Sequence, residues 1–318
     1  MNARESAWAY KKKQFNDFGL GDKATAGNYR ILNKDGSFNI KKDNLPLLEK
    51  FNFFHTLVSM SWLQFLVLVL STYFCINLLF ASLYMLIGME HLTGIHGTTA
   101  FEQFTEAFFF SSQTITTLGY GQVAPIGILA NAVAATESMM GLLGFALATG
   151  MVYGRFSKPT ARLKYSDQAI IAPFKDINGL MFRVVNPHSN QLLEVEANVS
   201  LSILRENTEL RDYYALELER TKVAFLPAAW TIVHPITPDS PFKGLGLDEL
   251  ERRDMEVIVV IKAFDETFSQ SVYSRSSYKF KELKWGEKFK YLMAHKDGRL
   301  TIDISGISTT EKATLNEL

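Results

Sequence analysis

The sequence predicts an α+β membrane protein: two transmembrane helices flank a re-entrant helix, and a cytoplasmic β-sandwich follows. Three observations predict it. Residues 51–154 contain no Lys or Arg, whereas residues 1–50 hold 10 and residues 155–318 hold 23. Two long apolar stretches fall almost wholly inside that cation-free segment. Beyond residue 165 the hydrophobic pattern changes from a helical period to a period of two. Over the 318 residues, 33 Lys+Arg balance 33 Asp+Glu, so there is no global basic field of the kind nucleic-acid binders use. A 47% hydrophobic content excludes a disordered chain.

Residues 1–45 read as a cytoplasmic N-terminal segment. Lys11, Lys12 and Lys13 are not followed by an apolar run, so this is not a secretory signal. In residues 46–60, Leu47, Leu48, Phe51, Phe54, Leu57 and Val58 recur at helical spacing, the pattern of an amphipathic helix lying in the inner interface.

A pore-sized membrane domain is expected over 61–157. Residues 62–89 carry no charge, and their 28 positions, at about 1.5 Å each, exceed a hydrocarbon thickness of roughly 30 Å. The second span, 126–156, carries one acid, Glu137, and ends at Arg155, Lys158 and Pro159. Basic residues flank the outer ends of this pair of spans and none lies between them, which places both termini in the cytoplasm. The single cysteine, Cys75, excludes an intrachain disulfide and reads as a small apolar residue.

Between the spans, Thr99 and Glu102 form a capping box that starts a helix over 100–113. At roughly 18 Å its apolar part is too short to cross a bilayer. Irregular backbone at membrane depth survives only where it is buried in protein or lines a watery cavity. The helix leads into Thr116-Thr117-Leu118-Gly119-Tyr120-Gly121. Gly119 and Gly121 can take positive φ, which lets successive carbonyls of an extended strand face one way. Stacked rings of such oxygens replace the hydration shell of potassium, as in the TVGYG loops of potassium channels. The expected ligands are the carbonyls of Thr117, Leu118, Gly119 and Tyr120 with the Thr117 hydroxyl. A ring needs several chains, so a symmetric assembly of about four is expected.

On the second span Gly141, Gly144, Gly150 and Gly154 permit either close packing or bending, with Gly141 and Gly150 as candidate hinges. Phe145, Thr149 and Tyr153 share a face. If that face lines the pore, Phe145 and Tyr153 make apolar rings able to gate by dewetting. Glu137 reads either as a buried carboxylate bracing the filter through hydrogen bonds or as an ion site.

After a linker, 158–164, strands are expected at 169–174, 180–185, 193–203, 214–218, 231–234, 257–264, 271–280 and 300–304, separated by Asn-Gly, Asn-Pro and Lys-Asp-Gly turns. They build a sandwich over 165–307 with a tail at 308–318. No enzyme signature is present: Gly244-Leu-Gly246 lacks a third glycine and a preceding strand. His188, His234 and His295 have no partner at metal spacing.

The filter run, Pro125-Ile-Gly127, the span end at Tyr153-Gly-Arg-Phe-Ser-Lys-Pro159, Ala229-Trp-Thr-Ile-Val-His-Pro235 and Tyr273-Ser-Arg-Ser-Ser-Tyr278 resemble the inward-rectifier potassium channels, most closely their prokaryotic members. The resemblance implies a homotetramer in the plasma membrane, potassium ions in the filter, no other cofactor, and an immunoglobulin-like sandwich that gates the inner helices. It implies a gate at Tyr153, with a second narrowing at Phe145. It also implies modulation by anionic lipid at Arg155, Lys158, Arg162 and Lys164. Thr160, Ala161, Leu63 and Gln64 stand where animal relatives are basic, so obligatory phosphoinositide activation is not expected and inhibition is the expected sign. Gln113 and Val123 occupy the positions of a charge pair that braces the filter in animal relatives. A nonselective cation pore and a non-conducting two-span receptor are the alternatives.

Overall fold

In a computed structural model the described residues are 27–41, 53–157, 163–226, 229–296 and 298–317. The chain forms two compact units, one of residues 43–158 and one of residues 1–42 with 159–318.

The membrane unit begins with α1, Phe53–Ser59, the described part of the expected interfacial helix; residues 46–52 lie outside the described residues. The first span is α2, Trp62–Ile87, started by a capping box in which Ser61 Oγ accepts from Gln64 N–H and the Gln64 side chain accepts from Ser61 N–H. It stops two residues before the expected end, because Gly88 turns to φ 107° and Met89–His91 tighten into a 3₁₀ turn. The re-entrant helix α3 is Ala100–Ile115, with Thr99 and Glu102 capping its start. Sequence places its end at 113. It runs two residues further and is closed by Thr116, the first residue of the expected filter run, with Thr114 Oγ1 and Thr116 Oγ1 donating to the carbonyls of Phe110 and Ser112. The second span, α4, is Gly127–Phe156 with Ile126 as its N-cap. At about 1.5 Å per residue α2 and α4 are roughly 39 and 45 Å long, and α3 about 24 Å. Leu63, Leu66, Val67, Leu70, Phe74 and Leu86 stand exposed along α2, as a lipid-facing surface requires.

A short ladder ties the loops of this unit together. Strand β1, Leu92–Thr93, pairs antiparallel with β2, Ala124–Pro125, and Ile126 N–H donates to His91 O at 2.7 Å. Gly94 permits the approach: a Cβ there would lie 1.8 Å from Gln122 O.

The other unit is a sandwich. One sheet comprises β3 (Lys164–Tyr165), β4 (Ala169–Phe174), β5 (Ile177–Val185), β9 (Ala229–Pro235) and β12 (Leu283–Trp285). The second comprises β6 (Leu192–Leu204), β7 (Arg211–Ala215), β8 (Lys222–Phe225), β10 (Glu256–Asp265) and β11 (Gln270–Lys279). Their inner faces bury Ile171, Leu180, Phe182 and Val184 against Val199, Leu201, Val257, Val259 and Ile261. A six-residue helix, α5 (Leu247–Arg252), precedes β10.

The structure corrects three of the expected boundaries. The strand expected at 214–218 is β7, three residues earlier: Arg211 and Asp212 look like loop residues, but both are buried strand residues whose charges are met by Asp254 and Arg205. The strand expected at 300–304 is β15, Arg299–Ile302, because Ile304–Ser308 tighten into a 3₁₀ turn. It pairs with β14, Met293–Lys296. Residues 308–317 are not a loose tail. Strand β16, Thr310–Lys312, pairs with β13, Glu287–Phe289, and Asn316 Nδ2 donates to the carbonyls of Lys175 and Ile177. The polar composition of this segment suggests solvent, yet its backbone groups are spent on the sheet.

Residues 27–39 dock on this unit too. Glu256 accepts from Ile31 N–H and Leu32 N–H, and Arg30 pairs with Glu282 at 3.0 Å.

Candidate functional site

The loop after α3 is shaped by its own backbone. Thr116 closes the helix in right-handed geometry, Thr117 N–H donates to Thr114 O at 3.0 Å, and Gln113 O accepts from Leu118 N–H at 2.8 Å and from Gly119 N–H at 3.3 Å. From there φ is positive at every second residue: Thr117 at 60°, Gly119 at 52°, Gly121 at 83°, with Leu118 and Tyr120 outside that region. Left- and right-handed residues in alternation are the condition under which successive carbonyls share one side of an extended strand. A Cβ at Gly119 or Gly121 would meet nothing within 4 Å, so glycine is required there for φ and not for room. Thr117 is expected as a ligand, but its left-handed backbone is what sequence reasoning missed. A β-branched side chain at φ 60° costs on the order of 1–3 kcal/mol, and such strain persists only where the surroundings impose it.

Behind the loop, α4 presses on α3 at two points one turn apart. A Cβ on Gly141 would lie 2.0 Å from Ile115 O, so this glycine answers a packing need at the carbonyl end of the re-entrant helix. Gly150 has nothing within 4 Å of such a Cβ. One turn before Gly141, Glu137 is fully buried, accepts a hydrogen bond from Tyr84 Oη at 2.7 Å and is in hydrogen-bond contact with Ser111 Oγ. Glu137 is thus a buried, hydrogen-bonded carboxyl group whose contacts reach α2 and α3. Its partners were legible in part: a lone acid in an apolar span needs polar neighbours, and Asn77 and Tyr84 lie seven residues apart on one face of the first span. Gln113 contributes its carbonyl to the loop, and Val123 packs on the apolar cluster around Phe80 and Phe110.

Farther along α4, Phe145 is 74% and Tyr153 73% exposed in the single chain, and Thr149 between them is exposed too. Arg155 is committed inside the unit. Its Nη1 donates to Leu57 O at 2.5 Å and its Nη2 to Met60 O at 2.6 Å, and its guanidinium lies 4.7 Å from the rings of both Trp62 and Phe65. Lys164 is exposed on β3, and Lys158 and Arg162 lie outside the described residues.

Comparison with known proteins covers nearly the whole sequence. The inward rectifier potassium channel transmembrane domain matches residues 32–159, and the inward rectifier potassium channel C-terminal domain residues 163–318. Inward rectifier potassium channel Kirbac3.1 of Paramagnetospirillum magnetotacticum is 35% identical over 292 residues, 89% of this chain and 96% of that protein. The chain belongs to the inward-rectifier potassium channel family. Two animal relatives are 27% identical over 89% of this chain and 78% of their own length: ATP-sensitive inward rectifier potassium channel 11 of Cavia porcellus and G protein-activated inward rectifier potassium channel 3 of Mus musculus. As an inward-rectifier channel of the prokaryotic kind, the protein carries potassium, and the two long apolar helices are its membrane spans.

Proposed function

We propose that four copies of the chain surround one axis and that residues 116–121 are the selectivity filter. The carbonyls of Thr117, Leu118, Gly119 and Tyr120, with the Thr117 hydroxyl, exchange with the hydration shell of potassium, and Thr116 and Gly121 close the two ends. The alternation of positive φ at Thr117, Gly119 and Gly121 carries this reading. The carbonyl end of α3 aims partial negative charge at the ion. The exposed face of α4 turns to the axis, where rings of Phe145 and Tyr153 exclude water when closed, and Gly150, free of packing demands within the chain, is the point at which α4 bends. The protein lies in the plasma membrane with both termini cytoplasmic, and the sandwich biases the inner-helix gate. Anionic headgroups act at Lys158, Arg162 and Lys164, the cations that follow the second span, while Arg155 holds backbone carbonyls.

Potassium flux into vesicles containing the purified protein, with barium as blocker and sodium as competitor, tests the proposal. Wild-type protein should pass potassium over sodium, and Gly119→Ala should abolish that selectivity while the sandwich remains folded, because only the filter backbone needs positive φ at this residue. Selective flux through Gly119→Ala would remove the filter assignment, and a mass other than four chains in detergent would remove the tetramer.

A further inference from the structure

Three elements of the membrane unit meet at one enclosed polar cluster. Asn77 of α2, Ser111 of α3 and Glu137 of α4 are fully buried, and Tyr84 of α2 is nearly so. Three oxygen-to-oxygen contacts join them: Tyr84 Oη with Glu137 Oε2 at 2.7 Å, Ser111 Oγ with Glu137 Oε1, and Ser111 Oγ with Asn77 Oδ1 at 3.0 Å. The orientation of Asn77 is fixed, since its Nδ2 donates to the Tyr73 carbonyl at 2.7 Å and a carbonyl can only accept. Its Oδ1 therefore faces Ser111 as an acceptor.

Each contact needs one proton. The Tyr84 phenol supplies one and the Ser111 hydroxyl supplies one, which leaves a contact with two acceptors and no donor unless Glu137 brings its own. Charge gives the same answer independently. Residues 51–154 hold no Lys or Arg, and Arg155 is roughly 27 Å farther along α4. An enclosed carboxylate with no cation in reach is among the costliest groups a protein can bury, and a proton removes the charge. Among the described residues the titratable side chain in contact with Glu137 is Tyr84, and it donates.

We propose that Glu137 is held as a neutral carboxylic acid: its O–H donates to Ser111 Oγ, Ser111 donates to Asn77 Oδ1, and Tyr84 donates to the acid's carbonyl oxygen. This relay positions the filter. Ser111 lies two residues before Gln113, whose carbonyl organises the N–H groups of Leu118 and Gly119. Ser112, between them, is pinned from α2 by the Tyr73 hydroxyl at 2.5 Å. Together with the Gly141 contact on Ile115, the relay fixes the last turns of α3 and hence the start of the loop. The inference rests on the filter reading above.

The test uses the full-length channel in vesicles. The infrared difference spectrum of wild type against Glu137→Gln should contain the C=O stretch of a protonated carboxylic acid, at neutral and at mildly alkaline pH. A carboxylate band pair in its place overturns the proposal. In flux assays Glu137→Leu and Ser111→Ala should lower potassium-over-sodium selectivity by about tenfold, the scale of one broken buried hydrogen bond. Glu137→Gln should restore it, because an amide supplies the same acceptor and donor. Unaltered selectivity in Ser111→Ala overturns the positioning role even if the acid band is present. If the leucine variant does not fold, the spectrum and the serine variant still decide. A wild-type channel without selectivity would count against the filter reading instead, and the infrared band would still decide the proton.

Discussion

Glu137 in the membrane unit and Glu256 in the sandwich unit are both fully buried, yet their surroundings have nothing in common. Glu137 is met by hydroxyls, in a stretch without a single Lys or Arg. Glu256 accepts from the N–H groups of Ile31 and Leu32, with the Lys279 ammonium 3.7 Å away. Beside it Asp254 takes both Lys279 and the fully buried Arg211, each at 2.7 Å. Around these two carboxyl groups one unit supplies hydroxyls and the other N–H groups and a cation. The difference follows the solvent each faces. Around the spans a charge has no water to fall back on, whereas the sandwich draws on a sequence segment rich in both signs.

The largest test of this contrast is at Glu256. Removing it in Glu256→Ala leaves the Ile31 and Leu32 N–H groups without their acceptor, while Lys279 keeps Asp254, and should destabilise the sandwich unit by about 1–3 kcal/mol for each orphaned donor, read from the denaturation midpoint. Glu256→Gln should also be harmful, since its NH₂ would meet N–H donors, whereas glutamine is the conservative choice at 137. Equal tolerance of glutamine at both positions would erase the distinction.

Gly141→Ala should come next. It drives a Cβ against Ile115 O and separates α4 from α3 at an overpacking cost of about 1–3 kcal/mol, so potassium selectivity should fall along with thermal stability. Gly144→Ala, where nothing lies within 4 Å of the added carbon in the chain, is the control. A normal filter in Gly141→Ala would mean that the contact at Ile115 does not matter.

Tyr153→Ala tests whether the membrane unit controls ions by excluding water and not by charge. Flux should rise a few-fold with selectivity unchanged, because the filter lies elsewhere on the chain. Unaltered flux would show that Tyr153 is not the constriction.

The smallest effect is a pH dependence on the charged side of the comparison. Burial pushes the Glu282 carboxyl up, but the Lys279 N–H and the Arg30 and Lys34 cations outweigh it and hold it below the ordinary carboxylate range. A depressed carboxylate stabilises the folded state above its unfolded value, about 4.3, and that contribution fades as pH falls further. Amide protection factors at Ile31 and Leu32 should therefore fall on acidification below that value, and less so in Glu282→Gln. Identical acid sensitivity in the variant would place the effect on another group.

Much of the membrane unit was legible because its signals are local. Thr99 and Glu102 mark a helix start by residue type alone, and the spans are marked by length and missing charge. The sandwich face of β6 was legible from the alternation of Val195, Ala197, Val199, Leu201 and Ile203. Long-range pairing was harder to read. Arg211 reads as surface until Asp254, from a distant part of the chain, supplies its counter-charge, and Asn316 reads as tail until Asn178 is beside it. The strain at Thr117 is invisible to propensity, because the residue type opposes the conformation it is made to adopt.

The fastening at Arg155 has a consequence in time. Its two acceptors, Leu57 O and Met60 O, precede it by 98 and 95 residues. At synthesis rates of about 5–20 residues per second those carbonyls leave the ribosome roughly 5–20 s before their donor exists. The corner between α1 and α2 therefore cannot close as the first span is made, and water at the interface has to serve its carbonyls until α4 arrives. The membrane unit is completed from its far end, with its last inner residues sealing its first.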